Sequence, residues 1–292
     1  MKDIFTDENR KLAEELHKNA ARKYKLICAD IDGTLLDDNK KLLPKVKESL
    51  RDAAKKGIRI ALASGRMPAG VDAVEKELGM PCIKICNAGT YILLGDQCIS
   101  MSTLLPGTME NIYVDIAKKN QLPLWIFQEK EWYVTDIDSY IEREIEIIRY
   151  HPEVVSVKKM AEQWEKEKTG PNKLLIAADP EIIKTVYQEM ADKNWQDVDM
   201  ACSADTFLEI FPKGVSKGTA ISAICDKLDI SLEDTIAFGD HELDIPMIEK
   251  AGVGVAMGNA IDELKKKADF VTKTNNEAGI AYALEYYLAD GQ

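Results

Sequence analysis

Two aspartates stand two apart in "ADIDGTLLD": Asp30 and Asp32, with Gly33 and Thr34 directly behind them. They close the apolar run "KLICAD" (25–30) and its exit. At strand spacing both side chains project to the same side. Once the chain leaves the strand at Gly33 they can diverge. Such a pair suits a nucleophile with a general acid/base partner. It also suits a hard, oxygen-ligated cation such as Mg²⁺. A helix-capping or turn-forming pair is the plainer reading, and the two residues alone do not choose. An EF-hand is excluded, because its glycine falls at loop position six and Gly33 is fourth from Asp30.

Three other short stretches carry chemistry of the same kind. "ASGR" puts the Ser64 hydroxyl after a second apolar run, with Gly65 freeing the backbone for close approach. A serine with nearby N–H groups can hold phosphate oxygens, although such a pair is commonly just a turn. "GVSKG" (214–218) places Lys217 at a glycine-bounded helix start. That is the wrong sign for the helix dipole, and it makes sense as a point charge for phosphate. "GDHELD" (239–244) offers Asp240, His241, Glu242 and Asp244 within five positions. His241 is a poor ligand for Mg²⁺ and is read as facing solvent or substrate.

These residues need strands that end together. "KLICAD", "IRIALAS" (58–64) and "CIKIC" (82–86) are apolar runs that each end in a polar residue or glycine, with a helical pattern at 42–57 between the first two. The far end repeats the scheme: helix 217–228, strand 235–239, helix 243–251, strand 253–257, helix 260–268, strand 270–271 and helix 278–288. Strand–helix alternation predicts an α/β fold, a doubly wound parallel sheet whose strand ends open on a ligand crevice. The middle reads differently. Strands are expected at 122–128, 131–136, 172–178 and 205–211, and helices near 108–120, 138–149 and 180–193. That predicts an inserted α+β domain, a mostly antiparallel sheet with helices on one face. The expected division is a core of 25–89 and 212–292 with an insertion at 90–211. Trp125, Phe127, Trp132 and Tyr133 at strand spacing read as core of that insertion before a substrate wall. Residues 7–23 repeat Leu12, Leu16 and Ala20 on one face, so 1–24 reads as a helical extension packed on the main domain. A dimer helix is the other reading.

The bulk numbers agree. The chain has 292 residues, 46% hydrophobic and 30% charged, with a formal net charge of −12. That is an ordinary globular balance, and it argues against nucleic-acid binding, which wants a basic face. No apolar window reaches membrane-spanning length, and the N-terminus is not a secretory signal. A cytoplasmic location follows as the expectation. The six cysteines form no CxxC pair, so they read as reduced thiols and not as a zinc site.

Taken together, "DIDGTLLD" (30–37), "SGR" (64–66), "GVSKG" (214–218), "GDHELD" (239–244), "GVAMGNA" (254–260) and "TNNEAGIAYAL" (274–284) resemble the motifs of the haloacid dehalogenase superfamily, in its Cof-type branch with an inserted α/β cap. The resemblance implies a phosphatase acting on small phosphorylated metabolites such as sugar phosphates. A sugar phosphomutase, or a binding protein with a weakened site, is the alternative. It implies Asp30 as nucleophile, Asp32 as general acid/base, and Lys217 as the cation shared by Asp30 and phosphate. Thr34, Ser64, Gly65, Lys217 and Asn259 fall on the phosphate side. Mg²⁺ falls to Asp30, the Asp32 carbonyl and Asp240, with Asp244 acting through water or by orienting Lys217. Two positions depart from the pattern. The family's Asn-Gly-Ala is here Asn87-Ala88-Gly89, and an expected asparagine is Leu243, whose side chain offers no amide. Glu242 or Asn259 is the candidate to compensate.

Overall fold

A computed structural model describes residues 24–193 and 195–288. The helix expected over 7–23, with any dimer role for it, lies outside the described residues. The chain forms two compact units. One comprises the described residues through Ala63, Glu77–Ile83 and those from Ile221; the other comprises Ser64–Lys76 and Lys84–Ala220.

The first unit is built on parallel strands. These are β1 (Leu26–Asp30), β2 (Arg59–Ala63), β12 (Thr235–Gly239), β13 (Val253–Ala256) and β14 (Phe270–Val271), in the order β14-β13-β12-β1-β2. Leu26 pairs with Thr235 and Arg59, and Ala29 with Phe238 and Leu62. Every residue of β1 and β12 is buried. That is why these strands read as continuous apolar runs, since a parallel sheet is covered on both faces. Helix α1 (Pro44–Lys55) starts on a proline, whose fixed φ suits the first turn. It buries Val46, Leu50 and Ala53 on one face and packs with α10 (Gly279–Tyr287). Helices α8 (Ile245–Lys250) and α9 (Asp262–Lys267) connect β12 to β13 and β13 to β14.

The second unit holds its own sheet, with strands drawn from the insertion. The order is β10 (Val198–Ala204), β11 (Phe207–Pro212), β9 (Lys173–Ala177), β6 (Trp125–Gln128), β7 (Glu131–Val134) and β8 (Glu153–Val154). All pairs are antiparallel except β7–β8. One face carries Ile126, Leu174, Ile176, Leu208 and Ile210 against α3 (Pro106–Ile112), α5 (Val157–Glu167) and α6 (Pro180–Asp192). The expectation of helices on one face is corrected here. Ile141 of α4 (Ser139–Ile148) packs with Trp125, Phe127, Trp132 and Leu175 on the other face. The reason is the strands' period of two: β6 turns Trp125 and Phe127 to one face and Ile126 to the other, and β9 sets Leu175 and Ala177 opposite Leu174 and Ile176, so both faces need cover. Trp125, Phe127 and Trp132 are buried, as core aromatics should be. This unit also contains α2 (Pro68–Leu78) as far as Lys76, the end of β3 (Ile83–Cys86), the hairpin β4 (Tyr91–Leu94) and β5 (Gln97–Met101), and the start of α7 (Lys217–Leu228).

No helix among the described residues is long and apolar enough to cross a membrane. The buried thiols are inert. Burial pushes Cys86 up to about 12 and Cys225 up to about 11, and raises Cys28 well above the usual thiol range.

Candidate active site

Because β1 and β12 are neighbours in parallel, their C-terminal ends meet at one edge. Asp30 closes β1 and Asp240 follows β12. A single turn after β12, residues 242–244, returns Asp244 to the same place. The result is a cluster in which one carboxylate oxygen from each of Asp30, Asp240 and Asp244 lies within 4.8 Å of the others. Asp30 and Asp244 are buried and Asp240 is half-buried. Three like charges so close repel one another. A hard divalent cation cancels that repulsion, and three carboxylate oxygens are the donors Mg²⁺ prefers. The donor set therefore fits the metal that the sequence suggests.

The neighbours of these carboxylates fix their orientation. Thr34 Oγ1 donates to Asp240 Oδ1 at 2.6 Å. Asp244 Oδ2 accepts the backbone N–H groups of Asp240 at 2.9 Å and of His241 at 3.0 Å. Gly33 has φ +86°, and a Cβ there would overlap Asp240 Oδ2. Only glycine permits both that backbone and that approach. Asn259 Nδ2 donates to the Gly33 carbonyl at 2.8 Å, and its Oδ1 accepts from the Asn275 N–H at 2.9 Å. Asn275 Nδ2 in turn donates to the Leu36 carbonyl and to Asp38 Oδ1. The turn after β1 is thus tied to the segments after β13 and β14. The Asp32 carboxylate pairs with Lys40 Nζ at 2.7 Å, half-exposed. His241 and Leu243 are half-buried and Glu242 is exposed.

In the second unit Ser64 and Lys217 are both buried, at 2% and 3% exposure. The Ser64 carbonyl accepts the Ala88 N–H at 2.9 Å, and the Ser64 N–H donates to the Ile85 carbonyl at 2.8 Å. Ser64 Oγ accepts the Arg66 N–H at 3.1 Å. The Arg66 carbonyl accepts from the Asn87 N–H. Lys217 opens α7, where Ser216 Oγ accepts the Thr219 N–H and Thr219 Oγ1 accepts the Ser216 N–H. The departing Asn87-Ala88-Gly89 loop is a tight left-handed turn, with φ of +50°, +61° and +107°. Gly89 lies against the Ser216 carbonyl and the Lys217 N–H, where a Cβ would clash. The Asn87 side-chain amide is buried and neither its nitrogen nor its oxygen has a protein partner.

Sequence reasoning found the three converging aspartates. It gave no role to Asn275, although "TNNE" places two amides shortly after a strand. It also missed Lys40, which nothing in its loop distinguishes from other surface lysines.

Comparison with known proteins gives the family. The sequence profile of the haloacid dehalogenase-like hydrolases matches residues 27–284. The 5-amino-6-(5-phospho-D-ribitylamino)uracil phosphatase YcsE of Bacillus subtilis is 28% identical over 265 residues, covering 90% of this chain and 96% of that one. The phosphatase YwpJ of the same organism is 28% identical over 293 residues, covering 90% and 100%. A haloacid dehalogenase-like hydrolase from Bacteroides thetaiotaomicron superposes with a TM-score of 0.79 at 29% identity, covering 90% of this chain and 99% of its own.

Proposed function

The chain belongs to the haloacid dehalogenase-like hydrolases and is a phosphatase of that family's cap-bearing subclass; from that premise we propose that it hydrolyses small phosphate monoesters, sugar phosphates or similar metabolites, through an aspartyl-phosphate on Asp30. The observation that carries the proposal is the convergence of Asp30, Asp240 and Asp244 beside Thr34. The name of YcsE, a phosphatase of a phosphorylated ribitylamino compound, supports the substrate class.

Asp30 attacks phosphorus, and the phosphorus–oxygen bond to the substrate alcohol breaks. Asp32 gives its proton to the leaving alkoxide. It then takes a proton from the water that attacks the aspartyl-phosphate, releasing inorganic phosphate and restoring Asp30. Asp30, the Asp32 carbonyl and Asp240 would hold Mg²⁺, with Asp244 in support. The ion, when bound, offsets the repulsion between an anionic nucleophile and an anionic phosphoryl group. Asp244 orients the Asp240 peptide, Thr34 orients the Asp240 carboxylate, and Asn259 steadies Gly33 on the phosphate side. Ser64 and Gly65 are assigned to a phosphoryl oxygen and Lys217 to the charge shared by Asp30 and phosphate. These assignments rest on motif order in the chain and on the burial of Ser64 and Lys217.

A panel of phosphate monoesters with Mg²⁺ tests the reading, with Asp30→Asn as control. Release of phosphate from sugar phosphates by the wild type alone is expected. Interconversion of sugar phosphates with little free phosphate would replace hydrolysis by a mutase. No turnover of any substrate would sink the catalytic reading.

A further inference from the structure

The second unit contains a buried ion pair that the reaction does not use. Lys173 on β9 and Glu209 on β11 are 2% and 3% exposed, with Nζ and Oε2 at 3.2 Å. Glu209 stands opposite Leu175, so Lys173 is its diagonal neighbour on the same sheet face. This is the face that carries Phe127, Trp125 and Trp132, and Lys173 Nζ sits 4.7 Å from the Phe127 ring centroid. A lysine and a glutamate amid aromatics must each shed water, and such a pair is a weak source of stability. It calls for another reason.

The reason is what else the pair touches. Lys173 Nζ donates to the Gly65 carbonyl at 2.5 Å. A Cβ on Gly65 would stand 2.8 Å from Glu209 Oε1, so the carboxylate lies against the bare Gly65 backbone. Two residues on, Met67 is buried among Trp125, Phe127, Trp132 and Leu175. The segment from Gly65 to Met67 is therefore seated on this face by a charge-assisted hydrogen bond, a close packing contact and an apolar plug. Ser64 is the residue directly before it, and its Oγ is already engaged by the Arg66 N–H.

We propose that Lys173 and Glu209 are positioning residues for phosphoryl transfer. They fix the Gly65 carbonyl and thereby the Ser64 hydroxyl. Glu209 holds the Lys173 ammonium in place, and Lys173 donates to the Gly65 carbonyl of the loop. The inference rests on the reading that Ser64 holds a phosphoryl oxygen. Misplacing a binding group by about 1 Å is enough to cost roughly 10²-fold in rate.

The test is p-nitrophenyl phosphate hydrolysis with Mg²⁺, with orthophosphate as competing inhibitor and melting temperature as a parallel readout. Lys173→Met alone strands a buried carboxylate, so its loss of activity would not separate folding from positioning. The double variant Lys173→Met/Glu209→Gln leaves no unpaired charge at this position and should melt close to the wild type. Its kcat/KM is expected to fall about 10–100-fold, with weaker inhibition by orthophosphate. In a Ser64→Ala background the same double change should cost nothing further, because both act through one group. Lys173→Arg gives a second route. It keeps the charge, but a planar fork cannot replace the single ammonium donor at Gly65, so reduced kcat/KM at wild-type melting temperature is expected. Wild-type kinetics in the stable double variant or in Lys173→Arg would overturn the proposal. So would an undiminished loss in the Ser64→Ala background. If Ser64→Ala by itself leaves kcat/KM and orthophosphate inhibition unchanged, the Ser64 reading falls and takes this one with it. An impaired Ser64→Ala beside an unimpaired double variant sinks the pair's role alone.

Discussion

In the first unit the groups assigned to chemistry hold one another. Thr34 fixes the Asp240 carboxylate, and Asp244 fixes the Asp240 peptide. In the second unit Ser64, proposed for the phosphate side, bonds through its backbone to Ile85 and Ala88, and the glycine after it is seated by Lys173 and Glu209. The difference follows from what each region must do. Carboxylates that repel need short, local partners to keep them converged, and adjacent parallel strand ends supply those partners directly. A loop that presents a hydroxyl needs a rigid backing, and a separate sheet supplies it. The first arrangement should therefore tolerate damage to the inserted sheet, and the second should not.

The largest expected effect falls in the first unit. Asp30→Asn keeps the shape and removes the proposed nucleophile, so kcat/KM should drop by about 10⁴-fold or more in steady-state assays. A residual rate within tenfold of wild type would end the comparison, since Asp30 would then be one carboxylate among three. Trp132→Ala strikes the second unit alone. It empties a fully buried site on the face that seats Gly65–Met67, and should cost about 3–5 kcal/mol in denaturant unfolding. Calorimetric Mg²⁺ affinity of the folded protein should stay unchanged; a loss there would show that the carboxylate cluster depends on the inserted sheet. Thr34→Val removes the 2.6 Å hydrogen bond to Asp240 with little change of volume. A fall of about 10–100-fold in Mg²⁺ affinity or kcat/KM is the expectation for a partner that orients a ligand.

The smallest effect is a pH dependence. Hydrogen bonds from Asn276 first and Asn275 second hold Asp38 below its ordinary carboxylate range. A depressed folded pKa means stability that is present above the unfolded value, about 3.9, and lost as pH falls through the folded value. Asn276→Ala should thus lower the melting temperature slightly near neutral pH. The gap to wild type should close toward pH 2, and a gap that widens on acidification would reverse the sign of the assignment.

Much of this was readable in advance, for physical reasons that differ by element. The strands at 235–239 and 270–271 and the helix at 217–228 fall where their apolar patterns place them. Buried parallel strands and a capped helix leave strong local signals. Asp30 and Asp240 could be brought together because both end neighbouring strands. Strand β10 escaped because its residues are only partly buried and alternate weakly. Helix α5 was overlooked although Val157, Ala161 and Trp164 mark one buried face amid charges. The Lys173–Glu209 pair left a trace too: each is a lone charge inside an apolar strand, "NKLLIAA" and "FLEIFP". Their pairing depends on the register of β9 against β11, which no local pattern fixes. The Thr34–Asp240 bond joins residues 206 apart and could not be read from either motif alone.

The central claim is covalent chemistry at Asp30. Acid-quenched turnover of a phosphate monoester in the presence of Mg²⁺, followed by peptide mass spectrometry, tests it most directly. A phosphoryl adduct on Asp30, absent in Asp30→Asn, is the predicted result. Full turnover with no adduct, or an adduct on another residue, would contradict the account.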